Sequence, residues 1–150
     1  MRKISDILVD REVYSVQKDV SVKEAVDYLC EHRIGAVAVL DGDEVAGVFS
    51  ERDLAHRVVH KGLDPNEVKV SDVMSKDCIH IPPDEDHRLA KTQMFDRHVR
   101  HLVVMDENEE FLGLISMRDL VREDVAEYAE LISRLNDKYY QEALKNAGRK

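Results

Sequence analysis

The chain of 150 residues has no tryptophan, two cysteines and three prolines, and aromatic residues make up only 5% of it. Two cysteines cannot frame a disulfide-rich fold. We expect Cys30, inside an apolar helical pattern, and Cys78, at the start of an expected strand, to be buried thiols. Long apolar runs are absent: IGAVAVL at 34–40 falls far short of the ~20 residues that span a bilayer. The opening MRKISDILVDRE is soon charged and lacks the apolar core of a secretory signal. The expectation is a cytoplasmic protein with no membrane partner. Positive charge is scarce as well. Lys and Arg number 22 against 31 Asp and Glu, for a net charge of −9. That disfavours nucleic acid as the main partner, because affinity there comes from cations that neutralise phosphates. A small anionic ligand needs local cations or backbone N–H groups to reverse this field. Catalytic signatures are missing: there is no G-x-S-x-G, no G-x-x-x-x-G-K-[ST] and no G-x-G-x-x-G. HRVVH at 56–60 lacks the Glu of H-E-x-x-H, so His56 and His60 read as a surface pair. Neither an enzyme nor a metal site is expected.

What the chain does have is repetition. GVFSERD at 47–53 returns as GLISMRD at 113–119, and a leucine follows each, Leu54 and Leu120. ISDIL at 4–8 returns as VSDVM at 70–74, and VYSVQKD at 13–19 aligns with CIHIPPD at 78–84. RIGAVAVLD at 33–41 aligns with HVRHLVVMD at 98–106. Each copy reads as a short ISD-type helix, then β-α-β-β-α. The first long helix places Val22, Ala25, Val26 and Leu29 on one face; its counterpart places Leu89, Ala90 and Met94 there, more weakly. DGD and DENEE read as the turns between paired strands. The fold class is therefore α/β (α+β), with two duplicated repeats at 3–61 and 68–125 and a helical extension at 126–150. One such unit buries too little apolar surface to be stable alone, so the two should pack sheet to sheet.

The repeated heptapeptide has a physical reading of its own. Gly47 and Gly113 let another group approach the backbone closely. Ser50 and Ser116 then stand at helix N-termini, where free N–H groups favour an anion. Asp53 and Asp119, one turn in, can accept two hydrogen bonds from a vicinal diol such as a ribose. The same Ser-x-x-Asp also makes a helix capping box that needs no ligand. Both readings stand.

The tandem unit, the SD-x-h segment, the R-h-x-x-h-h-V-h-D stretch and the closing G-h-h-S-x-x-D resemble a pair of cystathionine β-synthase (CBS) domains across about residues 3–125. The resemblance implies that the two repeats are pseudo-twofold related and form one compact module that binds an adenine nucleotide (AMP, ADP or ATP) in clefts between them. It implies that Ser50, Asp53, Ser116 and Asp119 meet phosphate and ribose. Arg100-His101 resembles the basic pair that contacts phosphate in the gamma subunit of AMP-activated protein kinase, in reversed order; a solvated charge pair is the other reading. Repeat 1 has Gly35-Ala36 at that place, so the two clefts should differ. Arg52 and Arg118 either reach phosphate or pair with acidic neighbours at an interface. Ser15 and His80 occupy the place where family members often carry a threonine near the ligand.

The segment 120–147 contains Val121, Val125, Tyr128, Ile132, Leu135 and Tyr139 at alternating spacings of four and three. That is one apolar stripe on a long helix. It either packs back across its own module or faces a second subunit, and since CBS pairs commonly dimerise, a homodimer is expected. The function expected is a regulatory module that senses an adenine nucleotide and signals to an unidentified effector protein. A scaffold with vestigial clefts, or a sensor of S-adenosylmethionine or NAD(H), are the alternatives.

Overall fold

A computed structural model describes residues 2–147. Repeat 1 runs through α1 (Ile4–Leu8), β1 (Ser15–Gln17), α2 (Val22–His32), β2 (Ala36–Asp41), β3 (Glu44–Ser50) and α3 (Glu51–Asp53), which continues as a π-helical turn over Leu54–Val59. Repeat 2 follows with α4 (Val70–Val73), β4 (His80–Ile81), α5 (His87–Asp96), β5 (His101–Met105), β6 (Phe111–Ser116) and α6 (Met117–Ala147). The expected layout is present twice. The second helix of repeat 2 and the C-terminal extension are one continuous helix.

Local chemistry sets the boundaries. Ser21 caps α2: its hydroxyl accepts from Glu24 N–H at 3.1 Å, and the Glu24 carboxylate accepts from Ser21 N–H at 2.8 Å. The helix ends where Arg33 turns left-handed, at φ 54°. Asp86 caps α5 by accepting from Arg88 N–H at 2.9 Å. On α2 the buried residues are Val22, Ala25 and Leu29, as the periodicity predicts. On α5 they are Ala90, Met94 and His87; Leu89 is 42% exposed, so the expected face is rotated.

Each repeat forms a three-stranded sheet, β1-β2-β3 or β4-β5-β6, with the first pair parallel and the second antiparallel. Both hairpins carry a bulge at the same place, after Val39 and after Val104. Alternation splits each central strand between two faces. Val37 and Val39 join the helix-side core of repeat 1, as Leu102 and Val104 do in repeat 2. Ala36, Ala38 and Val103 are equally buried but belong to neither helix-side core, and β2 meets β6. They face the opposite sheet, so the repeats do pack sheet to sheet.

The short helices are exchanged. Ile4 and Ile7 of α1 sit in the core of repeat 2, beside Ile81, Met94 and Ile115. Val70, Val73 and Met74 sit in the core of repeat 1, beside Val22, Leu29 and Phe49. Backbone bonds fix the exchange: Ile4 N–H donates to Glu85 O at 2.9 Å, and Val70 N–H donates to Val20 O at 2.9 Å.

Glycine allows one very close approach. A Cβ on Gly47 would lie 2.6 Å from Met74 Sδ and 2.7 Å from the Ser75 carbonyl oxygen. The group that approaches this backbone is the segment after α4, which pairs with β3 through Val48 and Ser75.

Candidate functional site

The strand-to-helix turns after β3 and β6 open into two cavities between the repeats. Both capping boxes exist. The Asp53 Oδ2 atom accepts from Ser50 N–H at 2.9 Å and Ser50 Oγ at 2.8 Å; the Asp119 Oδ2 atom accepts from Ser116 N–H at 2.8 Å and Ser116 Oγ at 2.5 Å. Capping therefore uses one carboxylate oxygen and leaves Oδ1 for another partner. The cap and the ligand site are not exclusive readings of this motif.

What Oδ1 meets differs between the repeats. Asp53 is buried, and its Oδ1 accepts from Ser75 Oγ at 3.1 Å with Arg57 Nε 3.5 Å away. The Arg57 Nη1 atom also donates to the carbonyls of Val73 and Met74, so this corner is tied to the segment after α4. Asp119 instead faces Arg11, whose Nη1 lies 2.8 Å from Oδ1. Burial pushes the Asp119 carboxyl up, but the Ser116 hydrogen bonds and the Arg11 guanidinium outweigh it and hold the group below its ordinary value.

The Asp119 cavity is large, about 1130 Å³, and the Asp53 cavity is small, about 190 Å³. Pockets for drug-sized ligands run to roughly 300–1,000 Å³. The large one is lined by Arg11, Arg33, Arg100, Arg118 and Arg122 against three carboxylates, a positive field on an acidic protein. The small one is lined by Glu51, Asp53 and Asp77 with Arg52 and Arg100. Arg100 and His101 stand between the cavities and line both. Burial pushes the His101 imidazole down; the Asp119 carboxylate opposes this and the Arg100 charge adds to it.

The sequence-predicted residues thus separate. Ser116, Asp119 and Arg118 line the large cavity, and Ser50, Asp53 and Arg52 the small one. Neither Arg52 nor Arg118 forms an ion pair among the described residues. Ser15 and His80 line neither cavity. They lie within β1 and β4, paired with Ala38 and Val103, whereas the chain just before each strand turns into a cavity: Val13 and Tyr14 in one, Cys78 and Ile79 in the other. The cysteines also need correction. Cys30 is exposed, because it sits where α2 borders the large cavity, and Cys78 is half-buried. Burial and the nearby Asp77 and Asp53 carboxylates push the Cys78 thiol up.

Sequence reasoning missed Arg11, Tyr14, Arg33 and Arg122. Tyr14 stacks in a cluster with Tyr28 and His32, at centroid distances of 6.3 Å and 4.7 Å, and brings an aromatic ring to the large cavity. Its hydroxyl donates to Glu12 at 3.0 Å, which raises its pKa. Arg11 left no clear signal: the repeat offset changes from 66 to 65 between Leu8 and Val13, so its counterpart is Asp77 by one offset and Lys76 by the other.

The sequence model of the CBS domain matches residues 4–60 and again 70–126. This chain belongs to the CBS-domain family. An uncharacterised protein of Methanopyrus kandleri is 36% identical over 93 residues, 61% of this chain and 47% of that one. The CBS chain thus spans about half the length of that relative. A solved structure of a protein with CBS domains from Burkholderia ambifaria is similar at TM-score 0.79 and 31% identity, covering 83% of this chain and 95% of its own. A CBS domain protein from Pyrobaculum aerophilum, solved in complex with AMP, is similar at TM-score 0.72 and 25% identity, covering 79% and 89%. No helix among the described residues is long and apolar enough to cross a membrane.

Proposed function

We infer that this CBS pair is a regulatory module that binds an adenine nucleotide in the large cavity, with Asp119 on the ribose and the arginines on the phosphates. The observation that carries the reading is the placement of five arginines around a half-buried Ser116-Asp119 turn in a cavity of about 1130 Å³. Arginine holds phosphate bidentately, and Ser116 stands at the N-terminus of α6, where the helix dipole favours an anion. Tyr14 offers a face for the adenine. The AMP bound by the Pyrobaculum relative supports the ligand class. Binding between the repeats would bias their relative arrangement, and an effector protein would read that change if its affinity differs between the two states.

Calorimetric titration with AMP, ADP, ATP, S-adenosylmethionine and NADH tests this. Wild type should bind at least one adenine nucleotide, Asp119→Ala should lose it, and Asp53→Ala, if folded, should keep it. Loss in Asp53→Ala alone would move the site to the small cavity. No binding in any protein would favour the scaffold reading, which the internally satisfied Asp53 already supports for one cleft.

The module acts as a homodimer in this reading. Between Glu127 and Asn146 every described residue of α6 is exposed, and the stripe does not fold back: Val125 is 62% exposed, Tyr128 65% and Ile132 59%. A second copy would cover it.

A further inference from the structure

The contact between Arg11 and Asp119 differs from its counterpart in the other cleft, where Asp53 Oδ1 meets Ser75 Oγ at 3.1 Å and Arg57 Nε at 3.5 Å. Arg11 is carried by the short connection between α1 and β1. Asp10 turns the chain there at φ 58°, and Arg11 N–H donates to Leu8 O at 3.1 Å. Its side chain keeps 32% of its exposure and can move. The Asp119 Oδ2 atom is committed to Ser116, so Oδ1 is the oxygen left for a ligand hydroxyl, and Arg11 occupies it.

A vicinal diol needs two acceptor positions; Ser116 fills both on Oδ2 and Arg11 holds one of the two on Oδ1, so a ribose can seat both hydroxyls on Asp119 only by displacing Arg11. The displaced guanidinium then lies in a wall already crowded with Arg118 and Arg122. A neutral nucleoside breaks a charge-assisted pair and offers the freed cation nothing. A phosphorylated one supplies a new anion within the same cavity. Building on the nucleotide reading above, we propose that Arg11 is an exchange latch: it guards the ribose oxygen of the empty cleft and transfers to phosphate on binding, so the site selects phosphorylated over unphosphorylated nucleosides. Arg11 is a specificity-determining residue. The small cleft has no such exchange: the Asp53 oxygen meets the Ser75 hydroxyl and an Arg57 whose guanidinium is already held by the carbonyls of Val73 and Met74, so no cation there is poised to transfer.

The test is calorimetric titration of the full chain with adenosine and with AMP, for wild type, Arg11→Gln and Arg11→Lys. In Arg11→Gln, AMP should bind about tenfold more weakly, the loss of one charge-assisted contact. Adenosine should bind about two- to fivefold more tightly, because the competing ion pair is gone. Arg11→Lys keeps the charge and should lie between wild type and Arg11→Gln for both ligands. The sign of the adenosine change decides. If adenosine binding is unchanged or weakened in the folded variants while AMP weakens, Arg11 is only a phosphate contact and the latch is wrong. Unchanged binding of both ligands also overturns it. Should Arg11→Gln fail to fold, Arg11→Lys alone decides by the same sign. A wild type that binds no nucleotide removes the site itself, an outcome distinct from a nucleotide site without a latch.

Discussion

A carboxylate has two oxygens, and in both repeats the fold uses one of them for itself. Asp53 and Asp119 each give Oδ2 to a helix cap, so replacing either by alanine removes a cap worth about 1 kcal/mol. Asp53→Ala should cost more, about 2 kcal/mol, because it also takes the buried carboxylate away from the Ser75 hydroxyl and from Arg57. Urea denaturation should show Asp53→Ala as the less stable variant, and an equal loss in both would mean that Ser75 and Arg57 rehydrate freely. Gly47→Ala tests the close approach of the segment after α4. The added methyl meets a backbone carbonyl rather than only a flexible side chain, so about 1–3 kcal/mol should be lost in the same assay. At this scale the sequence was legible where chemistry is local. Ser-x-x-Asp at 50–53 and 116–119 announced both the cap and the turn. What Oδ1 meets was not legible, because Ser75 and Arg11 arrive from segments that cross to their aspartates only in the folded chain. Ser15 and His80 were misplaced by a residue or two, since the strands begin later than their apolar pattern and the chain before them bends into the cavities.

At the scale of elements, α6 divides into a rooted half and a free half. Its first turns are held by ion pairs from Arg2 to Glu123 at 2.5 Å, from Lys91 to Asp124 and from Arg88 to Glu127 at 2.7 Å. Beyond them the helix carries an uncovered apolar stripe of about five turns. Isolated helices of this length are marginal in water, and tertiary contacts supply most of their stability. Tyr128→Glu combined with Ile132→Glu should therefore convert a dimer to a monomer by light scattering and reduce the helical signal in circular dichroism. A wild type already monomeric at the same concentration would remove α6 as the subunit interface. The spacing of the stripe could be read from sequence. The direction it faces could not, because that depends on where Met117 leaves β6. The exposed Leu89 and buried His87 on α5 show the same limit: a weak amphipathic pattern sets a helix but not its rotation.

For the whole molecule, the shifted groups at the clefts predict a pH profile. The folded pKa of Asp119 lies below its unfolded value, so its contribution is complete above the ordinary carboxylate range and is lost as pH falls through the folded value. The folded pKa of His101 lies below 6.5, so the unfolded chain takes up that proton first and stability declines as pH drops below 6.5. The urea midpoint should hold steady from about pH 8 to about pH 6.5 and then fall, and His101→Gln should flatten the upper part of that decline. An unchanged slope in the variant would assign the decline to another group. The duplication itself was plain in the sequence, but the exchange of α1 and α4 was not, since ISDIL and VSDVM each stand next to the repeat whose core they do not fill. That exchange has a genetic consequence. A single unit could complete its own core only by trading its short helix with an identical copy, as a domain-swapped pair. The tandem chain is the covalent version of that pair. Joining the copies frees them to diverge, so that one aspartate can meet an arginine from across the fold and its twin a serine, and one cleft can be wide while its twin is narrow. Two identical chains related by a true twofold axis could never draw that distinction.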